Sequence, residues 1–385
     1  MIIYIIKKII LYWILNLFIK RSKVIQPKTL LLIRLDGIGD YVLFRNYIES
    51  IKKKKRFKNF SITLLGNISW KNLSEELDIK YIDKFLWLDR KKFENNFFYR
   101  YKKIKELASV GYEVILSPIY SRNFFIEDTL VNLISAKEKI GNSGNYSNIR
   151  KWEKKISDKY YSKLIFAKKK VIFEFYRNKE FFQNFLDYKL NITKPNIHLK
   201  NSKTKFNLPK KYVVFFIGGS QNYKKWSIKK FAKVGKFLKK NFKCEPVLCG
   251  DSSDLEQVNQ FKKIYDGKVF NLVGKASLID FLKIIKNAFL ILSNESSAPH
   301  FAVALNVKCV FVLYSGKYLG RFCPYPKKIF KNYIPIYHSY IEKNFQYYKK
   351  LSNNYKFNSI RDINDISFEK VEQTLNLVLK KNYNK

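Results

Sequence analysis

The stretch ILSNESSAPH (residues 291–300), followed by FAVALNVKCVFVLYSG (301–316), decides the fold. Phe289 to Leu292 is an apolar run that reads as a buried parallel strand. It ends in a small polar loop, Ser293 to Ser297, and Pro299-His300 opens an apolar, alanine-containing segment that reads as a helix. A second apolar run, Cys309 to Leu313, follows. Strand, polar loop, helix and strand in that order make one parallel βαβ unit. Polar groups at the carboxyl end of such a strand, beside a helix N-terminus, suit an anionic ligand such as a nucleotide diphosphate.

A matching half-site lies near the other end of the chain, in TLLLIRLDGIGDYVLF (29–44). Leu30 to Leu35 is a short strand interrupted by Arg34. Asp36 to Asp40 forms a turn with glycines at 37 and 39, and the apolar pattern resumes as a helix at Tyr41. Asp40 then falls in the first turn of that helix, where an acid favours the helix dipole whether or not it does chemistry. The loop carries neither the third glycine of a dinucleotide fingerprint nor the Gly-Lys-Ser/Thr of a P-loop.

Further strands are expected at Ser61–Leu65, Phe85–Leu88 and Glu113–Leu116, and then at Tyr212–Ile217, Pro246–Cys249 and Val269–Leu272. Helical patterns cover Trp226–Asn241 and Ser277–Ala288, and Arg150–Leu190 reads as a basic, aromatic and mostly helical stretch. Gly141–Asn148 reads as a loop. The pattern starts, breaks and restarts. This gives an N-terminal helix over 1–24, a Rossmann-like domain over 25–195, a linker over 196–210, a second Rossmann-like domain over 211–345, and a helical tail over 346–385 that packs back across the domains.

The chain carries 75 basic against 31 acidic residues in 385, a net charge of +44, which favours anionic partners such as acidic phospholipid or phosphorylated glycolipid. No zinc-finger spacing, RNP-type motif or helix-turn-helix signature is present, so no specific nucleic-acid partner is expected. The four cysteines lack metal-ligand spacing and there are only three histidines, so no metal site is expected and a reducing, cytoplasmic setting is the natural reading. At the N-terminus, Lys7 and Lys8 make a full membrane span costly. The clean run Ile9–Leu15 is short of the roughly 20 residues a span needs. Residues 1–24 therefore read as an interfacial helix on an anionic membrane surface, or as a helix docked on the protein itself.

With these residues in view, the sequence resembles glycosyltransferase family 9, the lipopolysaccharide heptosyltransferases. Four segments match in order over roughly residues 28–326. They are LLIRLDGIGDYVL (31–43), FEFYRNKEFF (173–182), IGGSQNYKKWSIKKF (217–231) and Asn271–Ala304. The sequence departs at Glu295, where the family usually has Asp, and at Ser296-Ser297, where it has Thr-Gly.

The resemblance implies an α/β fold of GT-B type, with two facing Rossmann-like domains and a central cleft. It implies inverting, metal-independent transfer of a sugar, by default heptose from ADP-heptose, to a lipopolysaccharide core or related lipid-linked oligosaccharide. No cofactor beyond the nucleotide-sugar substrate is implied, and the enzyme would work peripherally on the inner face of the inner membrane. Asp40 matches the family's base. Lys224 matches its phosphate-binding lysine, beside the loop Gly218, Gly219 and Ser220, with a solvated surface lysine as the alternative. Glu295, Ser296, Ser297 and His300 match its donor-binding segment. Gly37, Gly39 and Arg122 fall where an acceptor is expected, although Arg122 also reads as a solvated arginine, and Trp226 reads as packing. Two other readings stand beside this one: a sugar-nucleotide epimerase on the same fold, and a catalytically decayed basic protein that binds membrane or nucleic acid.

Overall fold

The computed structural model describes residue 12 and residues 16–357, 359 and 361–383. The chain forms two compact units. The first comprises Met1–Lys170 and Tyr176–Ile192; the second comprises Val171–Phe175 and Thr193–Lys385.

The first unit holds six parallel strands: β1 (Ile25–Arg34), β2 (Ser61–Asn67), β3 (Lys84–Leu88), β4 (Gly111–Ser117), β5 (Ala136–Asn142) and β6 (Lys163–Ile165). Their order is β3-β2-β1-β4-β5-β6. Leu30 to Ile33 of β1 are all fully buried, as a central strand covered on both faces requires. Direction reverses between β1 and β4, so the carboxyl ends of these two strands flank the crevice where open parallel sheets bind ligands. Helix α1 (Ile38–Phe44) follows β1, and α2 (Phe97–Ala108) buries Ile104, Leu107 and Ala108 in the core beside Ile19, Leu31 and Ile115.

The second unit repeats the plan with β7 (Tyr212–Phe216), β8 (Glu245–Cys249), β9 (Phe270–Asn271), β10 (Leu290–Ser293), β11 (Val310–Tyr314) and β12 (Tyr333–Tyr337), ordered β12-β11-β10-β7-β8-β9 and all parallel. The reversal here lies between β7 and β10. Helix α3 (Glu174–Leu186) follows β6 in the chain, its first two residues in the second unit and the rest in the first. Helix α4 (Ile228–Phe242) lays Ile228, Phe231, Ala232, Val234, Gly235 and Leu238 on one buried face, a helical spacing. Three further helices follow: α5 (Leu278–Lys286), α6 (Ala298–Ala304) and α7 (Phe368–Tyr383). Ser277 caps α5 by accepting a hydrogen bond from the Asp280 N–H, and Asp280 reciprocates at the Ser277 N–H.

Three strands escape the sequence reading. β5 (AKEKIGN) carries three consecutive charged residues, Lys137 to Lys139, and its end falls in the segment that reads as a loop. β6 spans three residues inside a stretch expected to be helical. That stretch instead breaks into a short helix, Lys151–Ser157, then β6, an extended run and α3. β12 carries Pro335, which is tolerated because the strand is at the sheet edge.

The domain limits shift too. Val171–Phe175 joins the second unit, where Glu174 pairs with Arg321 at 2.8 Å. The segment expected as a linker also belongs to that unit, and within it the Ile197 N–H donates to the Ala304 carbonyl. The tail helix α7 buries Val371, Leu375 and Leu379 in the second unit's own core.

Most of the helix expected over 1–24 lies outside the described residues. Tyr12 packs on the first unit, its hydroxyl donating to the Glu94 carbonyl at 2.6 Å and its ring stacked under Arg100. Among the described residues no helix is long and apolar enough to cross a membrane.

Candidate active site

In the first unit β1 delivers Asp36, Gly37, Gly39 and Asp40 to the carboxyl edge of the sheet. Gly37 is the residue before α1, with φ −71° and ψ 176°, an extended conformation open to any residue. Neither glycine needs left-handed backbone, so the tight turn expected there is an ordinary strand-to-helix junction. Asp40 stands in the first turn of α1, partly exposed, with its Oδ2 3.7 Å from where a side chain at Gly37 would begin. No side chain caps this helix at Gly37.

Charged groups surround the turn. Arg34, fully buried, pairs with Asp36 at 3.1 Å and lies over the Phe44 ring. Asn178 ties the motif of α3 to this place, accepting from Arg34 at 3.4 Å and donating to the Leu43 carbonyl at 3.2 Å. Arg90, just after β3, donates to the Leu35 carbonyl and lies 3.8 Å from Asp36 and 3.4 Å from Glu127. Glu127 sits fully buried on a π-helical turn, Phe124–Asp128. Burial pushes its carboxyl up to about 7, with Arg90 opposing the shift. Arg90 and Glu127 were missed at the sequence level; the π-helical turn, a feature often found at functional sites, has no sequence signature of its own.

Arg122 is a correction. It is 1% exposed, so it is not a solvated arginine. Its guanidinium pairs with Asp158 and lies 3.8 Å from Asp128, over the Tyr161 ring. Tyr161 donates to Asp128 at 2.6 Å, and Lys154 pairs with Asp158. The cluster ties β4, the π-helical turn and the 150–161 segment together.

In the second unit the loops after β7, β10 and β11 converge. Asn294, fully buried directly after β10, donates to the carbonyls of Ile217 and Gly218 at 2.7 and 3.1 Å and accepts from the Trp226 N–H. It therefore shapes the Gly218-Gly219-Ser220 loop. At Gly218 a Cβ would fall 2.5 Å from Asp254 Oδ2, so only glycine fits there without movement. Ser220 is exposed at the loop tip.

Lys224 is not a solvated lysine. It is 7% exposed, and its Nζ lies 2.9 Å from Glu295 Oε1. Glu295 Oε2 accepts from the Ser315 hydroxyl at 2.7 Å and from the Ser315 N–H at 3.3 Å. One carboxylate thus links all three loops. Ser296 Oγ lies 3.2 Å from Ser293 Oγ and accepts from the Ala298 N–H, while the Ser297 carbonyl accepts from the His300 N–H. Trp226 is buried, and its indole N–H donates to the Ile366 carbonyl at 2.8 Å, so it anchors the approach to α7.

His300 is buried. Its Nδ1 lies 2.7 Å from the Tyr325 hydroxyl, in a cage completed by Phe322. Burial lowers its pKa to about 4, so the ring is neutral near pH 7 and offers a diphosphate no positive charge. Tyr325, Asn294, Asp254 and Ser315 all shape this place, and none was picked out from sequence. Asn294 was the most legible of them, a polar residue closing an apolar strand. Among the described residues no group of three or more His, Cys, Asp or Glu side chains is placed to hold a metal ion.

Two six-stranded parallel sheets of the same order, each with polar loops at its reversal point, define an α/β protein of two Rossmann-like units. The chain belongs to glycosyltransferase family 9 (heptosyltransferase), whose family model matches residues 100–351, and it is a glycosyltransferase. Solved structures agree on the fold. The glycosyl transferase family 9 protein from Veillonella parvula DSM 2008 superposes with a TM-score of 0.69 at 16% identity, covering 94% of this chain and 100% of that one. E. coli heptosyltransferase WaaC with ADP-2-deoxy-2-fluoro heptose gives 0.66 at 13% identity, covering 91% and 99%. E. coli ADP-heptose lps heptosyltransferase II gives 0.60 at 14% identity, covering 92% and 99%. No curated protein sequence matches the chain.

Proposed function

We propose that this glycosyltransferase moves a sugar, heptose from ADP-heptose, with inversion onto a hydroxyl of a lipopolysaccharide core or related surface glycan. The observation that carries the donor half is the convergence of Lys224, Glu295 and the Gly218–Ser220 loop at the β7/β10 reversal, in a chain of this family. The heptose and its adenine nucleotide rest on the family and on the ligand of the E. coli WaaC structure. Asp40 takes the proton from the acceptor hydroxyl as that oxygen bonds to the sugar C1. The C1–O bond to the diphosphate breaks, and the nucleoside diphosphate leaves with the electron pair. Lysine charge and loop N–H groups stabilise it.

Calorimetric titration with ADP, UDP, GDP and CMP tests this reading. Selective ADP binding is expected, weakened roughly tenfold or more by Lys224→Ala, the scale of a hydrogen bond to a charged group. Selective binding of another nucleotide replaces the sugar; binding of none overturns the proposal.

The acceptor is lipid-linked, so the enzyme works peripherally on the cytoplasmic face of an anionic membrane. The +44 charge supports this, as do Leu17 and Phe18, 82% and 71% exposed beside Lys20, Arg21 and Lys23. The protein should sediment with phosphatidylglycerol vesicles, and Leu17→Ser with Phe18→Ser should reduce the bound fraction. Recovery of all the protein in the supernatant would exclude this surface role.

A further inference from the structure

Three lysines stand on the loops around the β7/β10 reversal: Lys224, Lys225 and Lys317. Their partners differ. Lys224 is paired with Glu295 at 2.9 Å, and Lys225 with the buried carboxylate of Asp254 at 2.7 Å. Lys317 Nζ lies 3.4 Å from Gln221 Oε1 and 3.3 Å from the Tyr223 hydroxyl, both neutral, and 5.2 Å from the centre of the Tyr318 ring. Among the described residues no acidic side chain pairs with it. Lys224 approaches the same Tyr318 ring, at 6.0 Å, so one aromatic side chain is shared by both ammonium groups.

The backbone explains the placement of Lys317. Gly316, at φ +96°, takes a left-handed turn that L side chains rarely adopt. The Lys317 N–H donates to Ser315 Oγ, and Ser315 is itself held by Glu295. The carboxylate that neutralises Lys224 therefore also sets the turn from which Lys317 projects. A departing nucleoside diphosphate carries more than one negative charge. A lysine already balanced by a carboxylate at contact distance cannot compensate it alone.

We propose that Lys317 is a donor-binding residue, whose ammonium meets the diphosphate of the nucleotide sugar, while Glu295 is a positioning residue that holds Lys224 and the Ser315 turn. This rests on the donor site proposed above. It assigns Glu295 to the protein's own loops rather than to the ribose or sugar.

The test is calorimetry on the full chain with the tightest binder among ADP, UDP and GDP, and with inorganic diphosphate as competitor. Lys317→Ala should weaken both ligands by the same factor, roughly tenfold, because only the diphosphate is touched. Lys317→Arg should retain most of the affinity, and thermal unfolding should stay at the wild-type temperature. Adding Glu295→Gln to Lys317→Ala should recover binding in part, since the amide oxygen can still accept from Ser315 while the charge of Lys224 is released. Wild-type affinity in Lys317→Ala overturns the proposal, and so does a loss that Glu295→Gln does not recover. If Lys224→Ala abolishes binding and Lys317→Ala does not, this inference alone fails. If the wild type binds none of the nucleoside diphosphates, the donor site fails with it.

Discussion

Asp40→Asn is expected to fold as the wild type, to bind nucleotide with unchanged affinity and to transfer sugar roughly 10²- to 10⁴-fold more slowly, the usual worth of a general base. Asp40 lies in the first turn of α1, and that helix receives no side-chain cap at Gly37. An amide keeps the size and one acceptor oxygen of the carboxylate while losing its basicity. The helix-dipole contribution of an exposed first-turn acid is only about 0.3–1 kcal/mol, so stability changes little. Circular dichroism melting and a transfer assay with a radiolabelled donor separate the two roles. Turnover at the wild-type rate in Asp40→Asn would return Asp40 to a helix-stabilising acid, and lost folding would make it structural.

Arg122→Ala should have the opposite signature. Removing the guanidinium leaves Asp128, fully buried, without its cation, while Asp158 keeps Lys154. Breaking a buried ion pair from one side costs about 3–5 kcal/mol. At the size of this unit that lowers its unfolding temperature by roughly 10 °C. An arginine that met the acceptor instead would leave melting unchanged and raise the acceptor KM alone. A wild-type melting curve with a raised KM would sink the structural reading. The contrast matters because both residues follow the carboxyl ends of neighbouring strands in one sheet, where position alone does not separate chemistry from support.

Nine strands were legible in the sequence because each is an apolar run bounded by glycine or polar residues, as in YVVFF after Lys211 and LILS before Asn294. β5, β6 and β12 were not, because edge and near-edge strands carry lysine, glutamate or proline that mask the pattern. Asp40 and the Gly218-Gly219-Ser220 loop could be located from sequence, since each interrupts a strand at its carboxyl end. The neutral state of His300 could not. It depends on burial, which sets the ring against Tyr325, 25 residues on.

By itself the sequence determined the succession of parallel strands and helices, the restart of that pattern in the second half, and the loops on which polar residues gather. These follow from hydrophobic periodicity within short windows. Only the tertiary structure decided the strand order, and with it which loops meet. Glu295 finds Lys224 across 71 residues because β10 pairs beside β7, and Ser315 joins them because β11 lies beside β10. Which lysine keeps an uncompensated charge, and which arginine is buried, are settled by these non-local pairings. Burial and charge compensation belong to the neighbours in space, and no window of sequence contains them.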